Sequence, residues 1–159
     1  MTIILDGTNG LTFNNATTQN SGGKVLQVVH ANYSTAVSTS TNTLIDTGLT
    51  ASITPLFSTS KILVLISQNG VAKSTGNVYI QIALLRNSSP IINFAISSAY
   101  TGTSGVTNEV SNSTCYLDSP ATTSATVYKT QFCSNGNTAT ATVQNNNAMS
   151  TITLMEIAG

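Results

Sequence analysis

No window of helical length in this chain carries apolar residues at three-and-four spacing without Ser, Thr and Asn clusters breaking it. A helix needs an apolar stripe at that period to lie against a core, so what remains is the two-residue period of strands. Strand signals recur along the chain. Val25, Leu26, Val28 and Val29 make a branched run, and 43–53 alternates irregularly around Asp46 and Gly48 until Pro55 closes it. Further on, Val78, Ile80, Ile82 and Leu84 oppose Tyr79, Gln81, Ala83 and Leu85. Asn87-Ser88-Ser89-Pro90 turns the chain into 91–96. Ala139, Ala141 and Val143 alternate with threonines, Asn145-Asn146-Asn147 turns, and 150–158 is a final strand. About eight to ten short strands with turn signals between them predict an all-β fold, an antiparallel jelly-roll-like sandwich.

Three local readings follow. The segment 62–66, Ile-Leu-Val-Leu-Ile, is apolar on both faces and is expected to sit centrally with both sides covered, with Asn69-Gly70 turning the chain after it. The polar, glycine-containing stretch 100–113 is the longest loop. The segment 115–133 reads as a hairpin, with Asp118-Ser119-Pro120 opening its turn and Val127, Tyr128, Thr130 and Phe132 on the returning strand. Such a hairpin places Cys115 opposite the region of Tyr128, too far from Cys133 for a bridge, and two buried, reduced thiols are expected.

The organisation is an arm at 1–23 and a sandwich at 24–159. Asn9-Gly10 is a tight-turn signal, Leu11 and Phe13 alternate with polar neighbours over one short strand, and 19–23 is a flexible joint. The arm is too short to fold alone and is expected to dock on another molecule. Residues 1–5 carry no basic region or long apolar run of a secretory leader, and 62–66 is too short to cross a bilayer, so no membrane insertion is expected. Only 6% of residues are charged, five basic against five acidic. Such a chain has no electrostatic footprint for nucleic acid, and copies of it repel one another weakly. An oligomer is expected.

Chemistry is sought in the few reactive side chains. His30 with Cys115 and Cys133 matches no metal-ligand spacing, and His30 is expected at a strand end. No G-x-S-x-G elbow is present, and Gly7–Gly10 and Gly102–Gly105 lack the lysine and helix of a phosphate loop. Glu109 and Asp118 are the acids closest to a glycosidase pair. No catalytic residue, metal or cofactor is assigned. Tyr79 and Tyr128 are expected to pack across strands with their hydroxyls in solvent, whereas Tyr100 opens the long loop and can stack on a sugar or anchor a protein contact. Tyr100, Asn108 and Glu109 are the candidate receptor-binding residues.

The residues also carry a likeness. The arm I-L-D-G-T-N-G-L-T-F-x-x-x-T-T-Q-N at 4–20 resembles the short N-terminal segment of tail-fibre and virion structural proteins of tailed bacteriophages, especially marine and cyanobacterial phages. The body resembles their C-terminal β-domain through G-K-V-L-Q-V-V at 23–29, D-T-G-L at 46–49, K-I-L-V-L-I-S-Q-N-G at 61–70, Y-L-D-S-P-A-T-T-S-A-T-x-Y-K-T-Q at 116–131 and T-I-T-L-M-E-I-A at 151–158. No long shaft joins arm and knob. The resemblance implies a homotrimeric virion protein assembled in the host cytoplasm. Its arm, through Leu5, Asp6, Leu11 and Phe13, would attach to another virion protein, and its knob would contact a host surface glycan or protein. The other role it implies is a capsid decoration or baseplate adaptor without receptor contact.

Overall fold

The computed structural model describes residues 24–102, 108–135 and 139–159, preceded by three short strands. These are β1 (Ile4–Asp6), β2 (Gly10–Thr12) and β3 (Thr18–Gln19), an antiparallel sheet in the order β1-β2-β3. The arm thus holds three strands where the sequence predicts one. Leu5, Asp6 and Leu11 fall in these strands, and Phe13 lies outside the described residues.

Ten strands follow: β4 (Val25–Tyr33), β5 (Val37–Thr39), β6 (Ile45–Ile53), β7 (Lys61–Lys73), β8 (Tyr79–Arg86), β9 (Ser89–Ser98), β10 (Val110–Asp118), β11 (Thr126–Asn135), β12 (Ala141–Val143) and β13 (Ser150–Ile157). One sheet runs β4-β13-β7-β10, extended at one end where the short β12 and β5 pair beyond β7, and the other runs β6-β11-β8-β9. Among the described strands of the sandwich only β8 and β9 pair as sequence neighbours, through a turn with Asn87 at φ +54°. Every other pairing joins strands distant in sequence, and the interleaving is that of a jelly roll, two nested Greek keys. The fold is all-β, as the periodicity predicts.

Alternation along the strands builds the core. Ile62, Val64 and Ile66 of β7 meet Ile152 and Leu154 of β13 and, across the sandwich, Leu49, Ala51, Ile53, Leu84 and Tyr128. A second cluster gathers Val71, Ile80, Ile82, Phe132, Ala141 and Val143. Close approach of backbone and ring constrains Gly48, at φ +89°, where an added Cβ would overlap the Tyr33 ring.

Deep in the sandwich is a set of buried uncharged polar side chains, Thr47, Gln68, Thr130, Gln144 and Ser150. Leu49 N–H donates to Thr47 Oγ1 (3.1 Å), and the Thr47 and Thr130 hydroxyls meet at 2.6 Å. Thr130 donates to Gln68 Oε1 (2.9 Å), and Gln68 Nε2 donates to Ser150 Oγ (3.1 Å), which also accepts from Asn69 N–H (2.9 Å). Gln144 closes the circuit: its carbonyl oxygen accepts from Gln68 Nε2 and Ser150 Oγ, and its amide nitrogen donates to the carbonyls of Thr47 and Val143. The bonds cross from β7 and β13 to β6 and β11, so they tie the two sheets to each other.

At the end where β10 stops, Asp118 is buried beside the opposite sheet. Arg86 Nη1 donates to both its oxygens (3.0 and 2.9 Å), and Tyr128 donates its hydroxyl to Oδ2 (2.6 Å). Burial and the neighbouring Asp118 carboxylate push the Tyr128 phenol far above its ordinary value. The Tyr128 hydroxyl therefore does not reach solvent as expected. Glu156 is likewise buried. Burial alone would raise its carboxyl, but hydrogen bonds from Gln27 Nε2 (2.6 Å) and the N–H groups of Leu56 (2.8 Å) and Phe57 hold it below the ordinary carboxylate range.

The structure corrects several local expectations. There is no hairpin at 115–133: β10 pairs with β7 in one sheet and β11 with β6 and β8 in the other, so the connection crosses the sandwich. Asn69-Gly70 does not turn the chain. β7 continues to Lys73 through a register shift opposite β10, with Gly70 at φ +61°, which is a bulge. The segment 62–66 is central in its sheet but covered on one face only, because the sandwich has two layers and Leu65 points outward at 37% exposure. Val110, Ser111, Asn112 and Ser113 belong to β10 rather than to the long loop. His30 lies within β4, its Nδ1 2.9 Å from Thr153 Oγ1, rather than at a strand end.

Two outcomes are expected from these bonds. Thr130→Val strands both Gln68 Oε1 and Thr47, and equilibrium urea unfolding should show a loss of about 1–3 kcal/mol. For Glu156, whose folded-state affinity for protons is depressed, the stabilisation is present above the ordinary value of 4.5 and is lost as pH falls below it. Acid titration of unfolding free energy should show that loss, and Glu156→Gln should be less stable at neutral pH and lose less on acidification.

Candidate functional site at the loop end of the sandwich

Strand directions sort the connections into two groups. The chain enters β4 at the end of the sandwich where β6, β8 and β10 finish. The described residues 34–44, 74–78, 99–102, 108–109 and 139–149, which include β5 and β12, lie together at the opposite end. Described hydrogen bonds tie them to each other: Ser74 N–H to Thr140 O, Asn77 N–H to Gly102 O, Ser134 N–H to Thr41 O, and the side-chain amides of Asn145 and Asn146 to Glu109 Oε2 (2.9 and 3.0 Å). Left-handed residues concentrate here, among them Asn77, Ala99, Gln144, Asn146 and Asn147. Ala99 is the least suited of these to a positive φ, because its side chain cannot bond back to the backbone.

Ala99 delivers Tyr100, whose side chain is exposed. The Tyr79 ring meets it edge-on, centroids 6.4 Å apart at 73°. Lys73 Nζ lies 5.9 Å from the Tyr100 centroid and donates to Thr101 Oγ1 at 2.5 Å. Lys73 and Tyr79 were not legible as partners of Tyr100. Before the bulge the inward residues of β7 are Ile62, Val64, Ile66 and Gln68; after it they are Val71 and Lys73. The Asn69-Gly70 bulge shifts the alternation by one and turns Lys73 inward. Beside this cluster, Ser38, Thr39, Ser40, Thr41 and Thr140 line an open groove of about 400 Å³.

The other predicted positions are placed as follows. Asn108 and Glu109 are exposed just before β10, and Glu109 is engaged by Asn145 and Asn146. Glu109 and Asp118 stand at opposite ends of the nine-residue β10, about 30 Å apart, well beyond the spacing of a carboxylate pair. Among the described residues no group of three His, Cys, Asp or Glu is placed to hold a metal ion. Cys133 is buried as expected. Cys115 is exposed, a correction that follows from its outward parity on β10.

The outer faces of the two sheets differ in kind. On β6, β11, β8 and β9 the outward polar residues form a net beside the exposed Ile96: Asp46 pairs with Lys129 (2.8 Å) and accepts from Gln131, while Gln81 donates to Asn93 and accepts from Asn135. On the other sheet, register aligns Val28, Met155, Leu63 and Leu117 in one row across all four strands. The row beside it is His30, Thr153, Leu65 and Cys115. Val28 is 56% exposed and Leu117 50%. An open groove of about 450 Å³ runs along Leu65, Ser67, Ser113, Cys115, Thr151 and Thr153.

No family model matches the chain, and no curated protein matches its sequence. Among solved structures the chain is similar to the crystal structure of the infectious bursal disease virus VP2 subviral particle, with a TM-score of 0.43 and 11% sequence identity. That match covers 84% of this chain and 40% of the other, so the chain spans less than half the length of that neighbour.

The two thiols should react differently. Burial pushes Cys133 up from its ordinary value, whereas Cys115 faces solvent. Iodoacetamide on the dilute native chain should give a single adduct, mapped by peptide mass to Cys115, and a second adduct only in denaturant.

Proposed function

We propose that the chain is a structural protein of a virus particle that works as a trimer of itself, held to the particle through its arm and touching the host surface with the loop end of the sandwich. The observation that carries this reading is the apolar row Val28–Met155–Leu63–Leu117 on the outer face of β4-β13-β7-β10. Contiguous exposed apolar surface of this kind marks an interaction site. The occupant we assign to it is another copy of the chain. The face carries no acid, and its only basic side chains are His30 and, at one end, Lys61, so it offers little to a charged partner, and a chain with no net charge does not repel its own copies. Four strands at about 4.8 Å spacing and about 30 Å long give roughly 600 Å² in plan, approaching the 800 Å² or so that each partner contributes to a specific contact.

The likeness to tailed-phage fibre and virion proteins, carried by the motifs quoted above, supplies the setting. The polarity of the sandwich agrees with it, because the arm enters at one end and the Tyr100 cluster lies at the other. In tail-fibre terms the arm end faces the particle and the loop end faces the host.

Sedimentation of the full chain at micromolar concentration should give a three-copy mass. Leu117→Asp with Val28→Asp should reduce it to one copy without loss of strand content by circular dichroism. Alkylation of Cys115 should slow as chain concentration rises. A monomer whose Cys115 reacts at a concentration-independent rate would overturn the assembly. Failure of the purified chain to bind host cells or compete with phage adsorption would overturn the surface contact, and antibody label on the head or baseplate would replace it with the decoration or adaptor role.

A further inference from the structure

Lys73 is 3% exposed, yet among the described residues its ammonium meets one hydroxyl, Thr101 Oγ1, and one ring face, Tyr100. An ammonium has three donors and a full charge, and a buried cation without a counter-charge is costly. The acids among the described side chains are engaged elsewhere. Asp46 pairs with Lys129 and Asp118 with Arg86, Glu156 accepts from Gln27 and Leu56, and Glu109 accepts from Asn145 and Asn146. The bulge at Gly70 is what turns this lysine inward, and an added Cβ at Gly70 would meet the Asn145 backbone nitrogen at 2.5 Å, so the bulge is tightly determined. The site is built, and among the described side chains no carboxylate stands at its ammonium.

We propose that Lys73, Thr101 and Tyr100 form the seat of a carboxylate-bearing saccharide. The carboxylate takes the ammonium donors left over by Thr101. The apolar face of the sugar ring lies on Tyr100, 53% exposed and fixed edge-on by Tyr79. The hydroxyl-lined groove of Ser38, Thr39, Ser40, Thr41 and Thr140 at the same end suits the remaining sugar hydroxyls. This assignment rests on the loop end being the contact surface and names the ligand class for it.

The test titrates the full chain with glucuronate, N-acetylneuraminate, glucose and inorganic phosphate, followed by NMR line shifts of the tyrosine rings. The acidic sugars should bind at least about tenfold more tightly than glucose, and Lys73→Met should remove that preference. Tyr100→Ala, a surface change, should weaken the acidic sugars and leave phosphate unaffected. Should Lys73→Met fail to fold, Tyr100→Ala decides the question alone. Equal binding of phosphate and acidic sugars, or acidic-sugar binding indifferent to Tyr100→Ala or Lys73→Met, would overturn the ligand class, as would no binding at all. Host-cell adsorption that survives Lys73→Met would sink this assignment while leaving the surface-contact reading in place.

Discussion

The buried circuit of Thr47, Thr130, Gln68, Ser150 and Gln144 is the constraint on which the rest of the sandwich depends. Apolar contacts between two sheets are tolerant of sliding, because one branched side chain replaces another at little cost. Directional bonds are not. Each donor in the circuit has an acceptor supplied by a different strand, and a one-residue slip of β7 or β11 would leave buried polar atoms facing hydrocarbon. The circuit therefore fixes which row of β7 faces which row of β11. Past that point, the bulge at Gly70 shifts the alternation of β7 by one and turns Lys73 inward.

Much of this was legible in the sequence. The two-residue period named the strand regions and the all-β class, because alternation is dictated by the pleat itself. The turns at 87–90 and 145–147 were legible because Asn and Pro punctuate the chain for local reasons. What escaped was pairing. The segments 115–117 and 126–133 look like a hairpin because they are near each other and β-rich, yet nothing local says that their partners are β7 and β6 instead. Asn69-Gly70 illustrates the same limit. The dipeptide specifies a left-handed residue, and whether that makes a turn or a bulge depends on whether a neighbouring strand continues past it, as β10 does.

At the site, Tyr100 could be singled out because an aromatic opening a polar loop is unusual. Lys73 could not, since its direction depends on the bulge, and neither could Tyr79, read as ordinary cross-strand packing. The outer apolar row was legible as composition but not as exposure: Ile62 to Ile66 looked doubly covered because the chain alone does not reveal how many layers the fold has. Polarity in this protein is carried by hydroxyls and amides, so the contrast between the two outer faces lies in hydrogen-bonding capacity more than in charge.

The strand order has a consequence for how the protein comes into being. β13 lies between β4 and β7, so the sheet that bears the apolar row has a gap at its centre until residues 150–157 have been synthesised. Pairings so distant in sequence form slowly and late. A nascent or truncated chain thus cannot display the row in register, so strand order makes that surface a property of the completed sandwich alone.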